Sequence, residues 1–194
     1  SDVDNRNFKR TSMGIVMKRR DNAAIVKYVF GNVIEIIMNQ KSVDKAIIWL
    51  KKILREIVNG KIDKSMFIIT KSLSSYYKNP EGIAHKVLAD RMAERNPGNK
   101  PKPNDRIPFM YRELPKEMLF DFNNLYKSGA RKGKPREKKV LQGDRIEHPD
   151  FMEENKINID YKFYISNQIM NPVKQVLDLE KTELETNEIF KNYI

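Results

Sequence analysis

The acidic side chains and histidines of this sequence do not form the pattern of a known catalytic motif. Chemistry on a phosphoryl group requires two carboxylates that hold a pair of divalent cations about 3.5–4 Å apart. The sequence contains one Asp-x-Asp pattern, Asp2-Val3-Asp4, and no apolar strand flanks it. We therefore interpret this pattern as part of a solvated terminus.

The sequence also lacks the patterns of a metal site, an activated nucleophile and a phosphate-binding loop. His85 and His148 are the only histidines, neither has a carboxylate at a metal-ligand spacing, and there is no cysteine. No serine lies in a Gly-x-Ser-x-Gly turn, and Gly98-Asn99-Lys100 lacks the glycine spacing of a Walker loop. We predict that this segment itself binds no cofactor and no metal.

The balance of charge favours a polyanionic partner. The 194 residues include 37 Lys and Arg against 26 Asp and Glu, a formal net charge of +11. Such an excess favours nucleic acid over an acidic small substrate, although a basic protein can also be merely soluble. The lack of cysteine permits an intracellular, reducing compartment, and no stretch reaches the roughly 18 apolar residues of a membrane span. We expect a soluble chain with no membrane partner.

The first candidate phosphate-binding group is the run Lys18-Arg19-Arg20, followed by Asp21. On an extended chain Lys18 and Arg20 share one face and Arg19 takes the other, and Asp21 can pair with one arginine. Cations, hydroxyls and amides at fixed reach position a duplex without selecting its sequence. Taken alone, such a run is more often a solvated face.

Further candidate groups follow in the middle of the chain. Lys71, His85 and Lys86 can bind consecutive phosphates, helped by the amides of a first helical turn, although His85 can instead cap or pack. In the helix and the proline-rich loop that follow, the candidates are Arg91, Arg95, Asn99, Lys100, Asn104 and Arg106. Arg106 can alternatively form an ion pair with Asp105. The six cations of residues 131–139 predict a mobile basic loop with a weaker, salt-sensitive contact.

Tyrosines occur on several of the predicted elements: Tyr76, Tyr77, Tyr111 and Tyr126. Aromatic rings on one surface are typical of proteins that stack bases of single strands. Because these four lie on different elements, we favour core or phosphate contacts for them.

The elements that must position these groups are mostly helical. The sequence predicts extended structure at 14–17 and 23–26, then a helix over about 29–40. The next helix follows a Ser42 cap, ends at Gly60 and is covered on two sides, since Ile48 and Trp49 lie off its apolar stripe. Residues 66–70 predict a strand that can pair with 107–112, and Asn79-Pro80 opens a helix that Pro97-Gly98 closes.

Three more helices are predicted in the C-terminal half. Pro115 opens one that carries Met118, Leu119, Phe122, Leu125 and Tyr126 and is capped by Gly129. His148-Pro149-Asp150 starts a short one. Residues 159–179 form a long one that Pro172 kinks or breaks.

Several of these segments resemble, in their order and spacing, one protein family. Met13-Gly14-Ile15-Val16 and Lys18-Arg19-Arg20-Asp21-Asn22 are followed by Ile69-Thr70-Lys71, Ala84-His85-Lys86-Val87-Leu88-Ala89, Arg95-Asn96-Pro97-Gly98, Asn104-Asp105-Arg106-Ile107-Pro108 and Tyr164-Ile165-Ser166-Asn167-Gln168-Ile169-Met170-Asn171-Pro172. This set is similar to the end of the palm and the thumb of family B DNA polymerases of the polymerase delta type, which large DNA viruses also carry. Asn96 and Asn171 stand where the family usually has Asp and Lys.

The resemblance implies a mainly α fold with a small β element (α+β), the thumb domain of such a polymerase. Residues 1–28 would be the end of the palm and the palm–thumb junction, 29–179 the thumb domain, and 180–194 an acidic C-terminal tail. Together, the residue patterns and the resemblance predict DNA binding by Lys18, Arg19, Arg20, Asp21, Lys71, His85, Lys86, Arg95, Asn99, Lys100, Asn104 and Arg106.

The implied function is the primer–template-binding part of a DNA-directed DNA polymerase in DNA replication, which binds phosphates behind the active site for processivity. The catalytic carboxylates and their Mg²⁺ are expected in a palm outside this segment, so the segment alone should be inactive. Expected partners are primer–template DNA, the palm, fingers and exonuclease domains, and a sliding clamp, in the nucleus or at a viral replication site. The alternative is a free-standing, non-catalytic basic module that binds nucleic acid.

Overall fold

The computed structural model describes residues 21–194, which belong to two compact units. The first unit combines residues up to 69 with residues 161–194, and the second comprises residues 70–160. Lys18, Arg19, Arg20 and the extended segment predicted at 14–17 lie outside the described residues. Within the described range, helices predominate over short strands, which confirms the predicted α+β class.

Two long helices open the first unit. α1 spans Ala24–Gln40 and α2 spans Val43–Val58. The hydroxyl of Ser42 accepts a hydrogen bond from the Lys45 N–H at 3.1 Å, so the predicted cap is confirmed. The buried positions of α2 follow the predicted helical stripe: Val43, Ala46, Leu50, Ile53, Leu54 and Ile57.

Two predictions for these helices are wrong. Residues 23–26 were expected to be extended, yet α1 begins at Ala24, because Ile25 and Val26 continue the buried face of the helix. A short apolar run is ambiguous between strand and helix until its neighbours are considered. The second error concerns α2, which is not covered on the side of Ile48, a residue that is 69% exposed. Trp49 packs edge-on against Tyr28 of α1, with ring centroids 5.9 Å apart.

A three-stranded sheet and one long helix organise the second unit. β1 (Ile69–Ser72) follows a 3-10 turn at Lys64–Phe67 and lies beside β2 (Arg106–Tyr111). The predicted pairing of these two strands is confirmed, although β1 begins three residues later than predicted. α3 spans Ala84–Arg95. Its predicted start at Asn79-Pro80 is instead a separate 3-10 turn, Pro80–Gly82, because Ile83 has an extended backbone.

The region after β2 differs most from prediction. α4 is a single turn, Lys116–Leu119, and the chain continues as β3 (Phe120–Leu125), which pairs antiparallel with β4 (Pro135–Glu137). The predicted helix to Gly129 is therefore wrong, and the predicted loop at 131–139 contains a strand at Pro135–Glu137. Phe120 and Phe122 alternate with Asp121, which is the pattern of a strand. The hydrogen-bonding partner of this strand is β4, which the local sequence does not reveal. Gly129 and Gly133 adopt positive φ in the connecting turn.

The third strand of the first sheet, β5 (Ile146–Glu147), pairs antiparallel with β2, with Met110 opposite Glu147 and Tyr111 opposite Ile146. α5 (Pro149–Glu154) then begins where predicted. The Nδ1 atom of His148 accepts a hydrogen bond from the Asp150 N–H at 3.1 Å, so this histidine caps the helix.

Helices after residue 160 complete the first unit. α6 (Tyr161–Tyr164) leads through a π-helical turn, Ile165–Ile169, into α7 (Met170–Leu177). α7 runs through Pro172 without the predicted break, and the irregularity in this helix is the π-helical turn that precedes α7. The buried Tyr164 hydroxyl donates to the Phe67 carbonyl at 2.5 Å. α8 (Glu183–Phe190) lies within the segment predicted as an acidic tail and begins at a Thr182–Glu185 capping box.

None of the helices within residues 21–194 combines the length and apolar character needed to cross a membrane.

Candidate nucleic-acid interface

Most of the predicted DNA-binding residues lie in the second unit. Lys71, His85, Lys86, Arg95, Asn99, Lys100, Asn104 and Arg106 all belong to residues 70–160. Asp21 belongs to the first unit, and Lys18, Arg19 and Arg20 lie outside the described residues. The geometry of the second unit therefore decides which candidates can act together.

Arg106 lies across strand β1, beside Lys71. Its guanidinium donates to the Ser72 hydroxyl at 3.4 Å and approaches the Thr70 carbonyl at 3.5 Å, contacts that flank Lys71 on both sides. The Asp105 carboxylate is used elsewhere, because it accepts a hydrogen bond from the Lys102 N–H at 2.8 Å. The alternative of an Asp105–Arg106 ion pair is therefore not the arrangement observed.

The proline-rich loop is fixed to the chain after β1. The Asn104 N–H donates to the Leu73 carbonyl at 2.7 Å, and the Leu73 N–H donates to the Asp105 carbonyl at 2.8 Å. Asn104 has a φ of 70°, a left-handed conformation that asparagine tolerates better than most residues. The role of Asn104 in this structure is thus to shape the backbone that carries the loop to β1.

We call the cations of this region the basic edge: Lys71, Lys100, Lys102 and Arg106. Lys100, Lys102 and Arg106 are exposed, and Lys71 is half-buried. None of the four forms an ion pair with a carboxylate of residues 21–194. Unpaired, exposed cations on a fixed backbone are available to an external anion.

His85 is held next to the basic edge as a neutral group. Its Nε2 lies 3.1 Å from the Tyr77 hydroxyl, which in turn accepts a hydrogen bond from the Ser74 N–H at 2.7 Å. Burial lowers the pKa of His85 below the usual 6.5, the charge of Lys71 lowers it further, and a hydrogen bond with the Ser72 backbone opposes both. Of the two roles left open for His85, packing is the one that this geometry supports.

Lys86 has a partner on its own helix. Its ammonium donates to the Asp90 carboxylate at 2.8 Å, one turn further along α3. Such exposed i,i+4 pairs contribute only a few tenths of a kcal/mol, so Lys86 can leave Asp90 for a phosphate at small cost.

Arg95 has a structural partner that sequence reasoning missed. Its two terminal nitrogens donate to the two oxygens of Glu147 at 3.0 and 2.5 Å, and its guanidinium lies 3.4 Å from the centre of the Phe151 ring. Arg91 completes the network by donating to the carbonyls of Gly143 at 2.8 Å and Ile146 at 2.7 Å. Both arginines thus attach α3 to the β5 region.

Glu147 is the centre of this network and is only 1% exposed. Burial alone would raise its pKa, but hydrogen bonds from Arg95 and the His148 N–H, together with the charges of Arg91 and Arg95, outweigh burial and lower it. The 52 residues that separate Arg95 from Glu147 explain why no local pattern indicated the pair. The only sequence signal was the spacing of Arg91 and Arg95, one turn apart on α3.

The described residues contain no group of three or more His, Asp or Glu side chains that could hold a metal ion. The chemistry available at the basic edge is electrostatic binding of an anion.

The comparisons with known proteins agree with the sequence resemblance. Residues 1–179 match DNA polymerase family B. The chain therefore belongs to the family B DNA polymerases.

Its relatives include viral and cellular enzymes. The chain is 48% identical to the DNA polymerase of Acanthamoeba polyphaga mimivirus over 183 residues, which cover 94% of this chain and 10% of that polymerase. It is 28% identical to the DNA polymerase delta catalytic subunit of Candida albicans over 181 residues, 93% of this chain and 15% of that subunit. This chain thus spans about a tenth to a seventh of the length of these relatives.

The fold is also that of a solved polymerase structure. The family B DNA polymerase from the hyperthermophilic archaeon Pyrobaculum calidifontis matches with a TM-score of 0.58 at 18% identity, over 84% of this chain and 18% of that one. At this identity the match supports the fold.

Proposed function

We propose that this chain is the thumb portion of a DNA-directed DNA polymerase, and that it holds the primer–template duplex during DNA replication. The observation that carries the proposal is the basic edge, where four cations without partners among the described carboxylates are fixed on β1, β2 and the loop between α3 and β2. Membership of family B supplies the class of partner, a DNA duplex.

The proposed contact is with phosphates and does not select sequence. Lys71 and Arg106 belong to adjacent strands, and the loop that carries Lys100 and Lys102 is hydrogen-bonded to the chain after β1. Phosphate contacts of this type set the register of a duplex and make its affinity depend strongly on salt. His85 positions the end of β1 through Tyr77, and Arg95 holds α3 in place through Glu147.

The rest of the polymerase supplies the chemistry in this proposal. Nucleotidyl transfer and its Mg²⁺ would belong to a palm, and this segment alone would be inactive. Its partners would be primer–template DNA, the palm, fingers and exonuclease domains, and a sliding clamp. The site of action would be intracellular, wherever the DNA is replicated.

The test is a titration of the 194-residue chain with a recessed primer–template duplex, a blunt duplex, single strands and polyglutamate at two salt concentrations. We expect the recessed duplex to bind most tightly, and Lys71→Ala/Arg106→Ala to weaken it at least tenfold. The control is Lys191→Ala, which removes an exposed lysine of the first unit that pairs with Glu188.

The alternative is a free-standing basic module without catalytic partners. That module predicts similar affinity for every acidic polymer and no special loss in the double variant. Equal binding of the recessed duplex and of polyglutamate would therefore contradict the proposed role.

A further inference from the structure

The hairpin formed by β3 and β4 carries an open groove that is partly lined by aromatic side chains. The groove has a volume of about 420 Å³, and Phe120, Phe122, Tyr126 and Pro135 belong to its lining. Phe122 is 51% exposed although it is a large apolar residue. Exposed aromatic rings that line one concave surface of a monomer mark a binding site more often than a fault in packing.

The lining of this groove is also cationic. Lys116, Arg131 and Lys134 belong to it, and Glu137, the one carboxylate among the lining residues, lies 3.7 Å from Arg131. Arg131 and Arg136 also lie over the Tyr126 ring, 5.7 and 5.1 Å from its centre. Across residues 116–139 there are eight Lys and Arg against three Asp and Glu, so the hairpin has its own excess of positive charge.

Aromatic and cationic side chains that line the same groove match one kind of ligand closely. Single-stranded nucleic acid presents flat bases, which stack on aromatic rings, and phosphates, which pair with cations, and each nucleotide carries one of both. A base-paired duplex keeps its bases stacked inside and would offer only its phosphates to the groove. We propose that the β3–β4 hairpin binds single-stranded nucleic acid, with a base stacked on Phe122 and the adjoining phosphates on Arg131 and Lys134.

This site goes beyond the proposed duplex contact and uses different residues. The basic edge consists of residues of β1, β2 and the loop before β2, whereas the groove is lined by residues of α4 and of the β3–β4 hairpin. No residue is shared between the two sets.

The test measures how much of the affinity depends on bases. The 194-residue chain is titrated, by fluorescence anisotropy, with a short oligothymidylate, with an abasic strand of equal length and charge, and with a blunt duplex. We expect Phe122→Ala and Phe122→Leu to weaken oligothymidylate binding about tenfold and to leave the abasic strand and the duplex unchanged. Phe122→Trp should retain the affinity, because it keeps a flat aromatic face.

The matched control is Leu125→Ala, which removes a similarly exposed apolar side chain from the same strand but outside the groove. It should leave all three affinities unchanged. Equal losses for oligothymidylate and the abasic strand, or no loss for either, would overturn the proposal. Stronger dependence on Phe122 for an acidic aromatic peptide than for oligothymidylate would assign the groove to a peptide instead.

The result is independent of the thumb proposal. Lys71→Ala/Arg106→Ala should weaken duplex binding and leave the difference between oligothymidylate and the abasic strand intact. Loss of that difference only in the Phe122 variants would support the hairpin site even if the duplex proposal failed.

Discussion

At the scale of single residues, charged side chains in this protein divide into those that are paired inside the fold and those that are not. Arg91 and Arg95 have the same chemistry as Arg106, yet their nitrogens are directed to carbonyls and to Glu147. Arg106 makes only long contacts with β1. Arginine spacing alone therefore does not distinguish a structural residue from a candidate for DNA binding.

Replacing Glu147 should be strongly destabilising. Glu147→Ala removes the carboxylate that pairs with Arg91 and Arg95. Removal of one partner of a buried ion pair typically lowers the free energy of unfolding by about 3–5 kcal/mol. Urea denaturation of the variant measures this loss. Asp150→Ala is the control, because that carboxylate is largely exposed and should change stability by less than about 1 kcal/mol.

Glu147 should also contribute to acid sensitivity. Its pKa is lowered in the folded protein, so its stabilising contribution is complete above the unfolded value, near 4.5, and is lost as the pH falls through the lower, folded value. Unfolding free energies measured from pH 7 downwards should therefore decline less steeply for Glu147→Gln than for the unchanged protein. Parallel pH profiles for the two proteins would contradict this role.

His85 should act through position and not through charge. Because its pKa lies below 6.5, His85 is neutral at pH 7, and His85→Ala removes the contact with Tyr77 without removing a cation. We expect a loss of about 1 kcal/mol in stability and a change in duplex affinity much smaller than that of Lys71→Ala. An NMR titration of the imidazole measures its pKa directly, and a value above 6.5 would refute the assignment.

At the scale of elements, the sequence was most informative where local signals agreed. α2 combined a serine cap, a helical stripe of apolar residues and a terminal glycine, and it formed as predicted. The β3–β4 hairpin was missed because Met118, Phe122, Leu125 and Tyr126 fit a helical spacing, while the partner strand lies ten residues further on. Pairing between strands is a tertiary contact, and no local periodicity encodes it.

Gly143 should be intolerant of any side chain. An added Cβ would lie 2.7 Å from Val87 of α3, closer than side-chain contacts allow, so Gly143→Ala should cost about 1–3 kcal/mol. Thermal unfolding tests this, with Val87→Ala in the same chain expected to recover part of the loss. Gly82→Ala serves as the control, since no atom lies within 4 Å of its added Cβ.

At the scale of the whole molecule, the excess of positive charge should appear in the salt dependence of DNA binding. The logarithm of the association constant should fall linearly with the logarithm of salt concentration. Removing one phosphate contact should reduce the slope by about 0.9, so Lys71→Ala and Arg106→Ala should each do so. Lys191→Ala should leave the slope unchanged, and a similar fall for all three variants would indicate only a diffuse effect of net charge.

The division of the chain into units has a consequence for its synthesis. The second unit is one continuous segment, whereas the first unit is formed by two segments that are far apart in the sequence. Residues 161–194 contact the earlier segment, for example through Tyr164 on Phe67 and Lys181 on Asp44 of α2. During translation, residues 70–160 emerge complete while the earlier helices still expose their apolar faces. The first unit can therefore complete its fold only after the whole of the second unit has been synthesised.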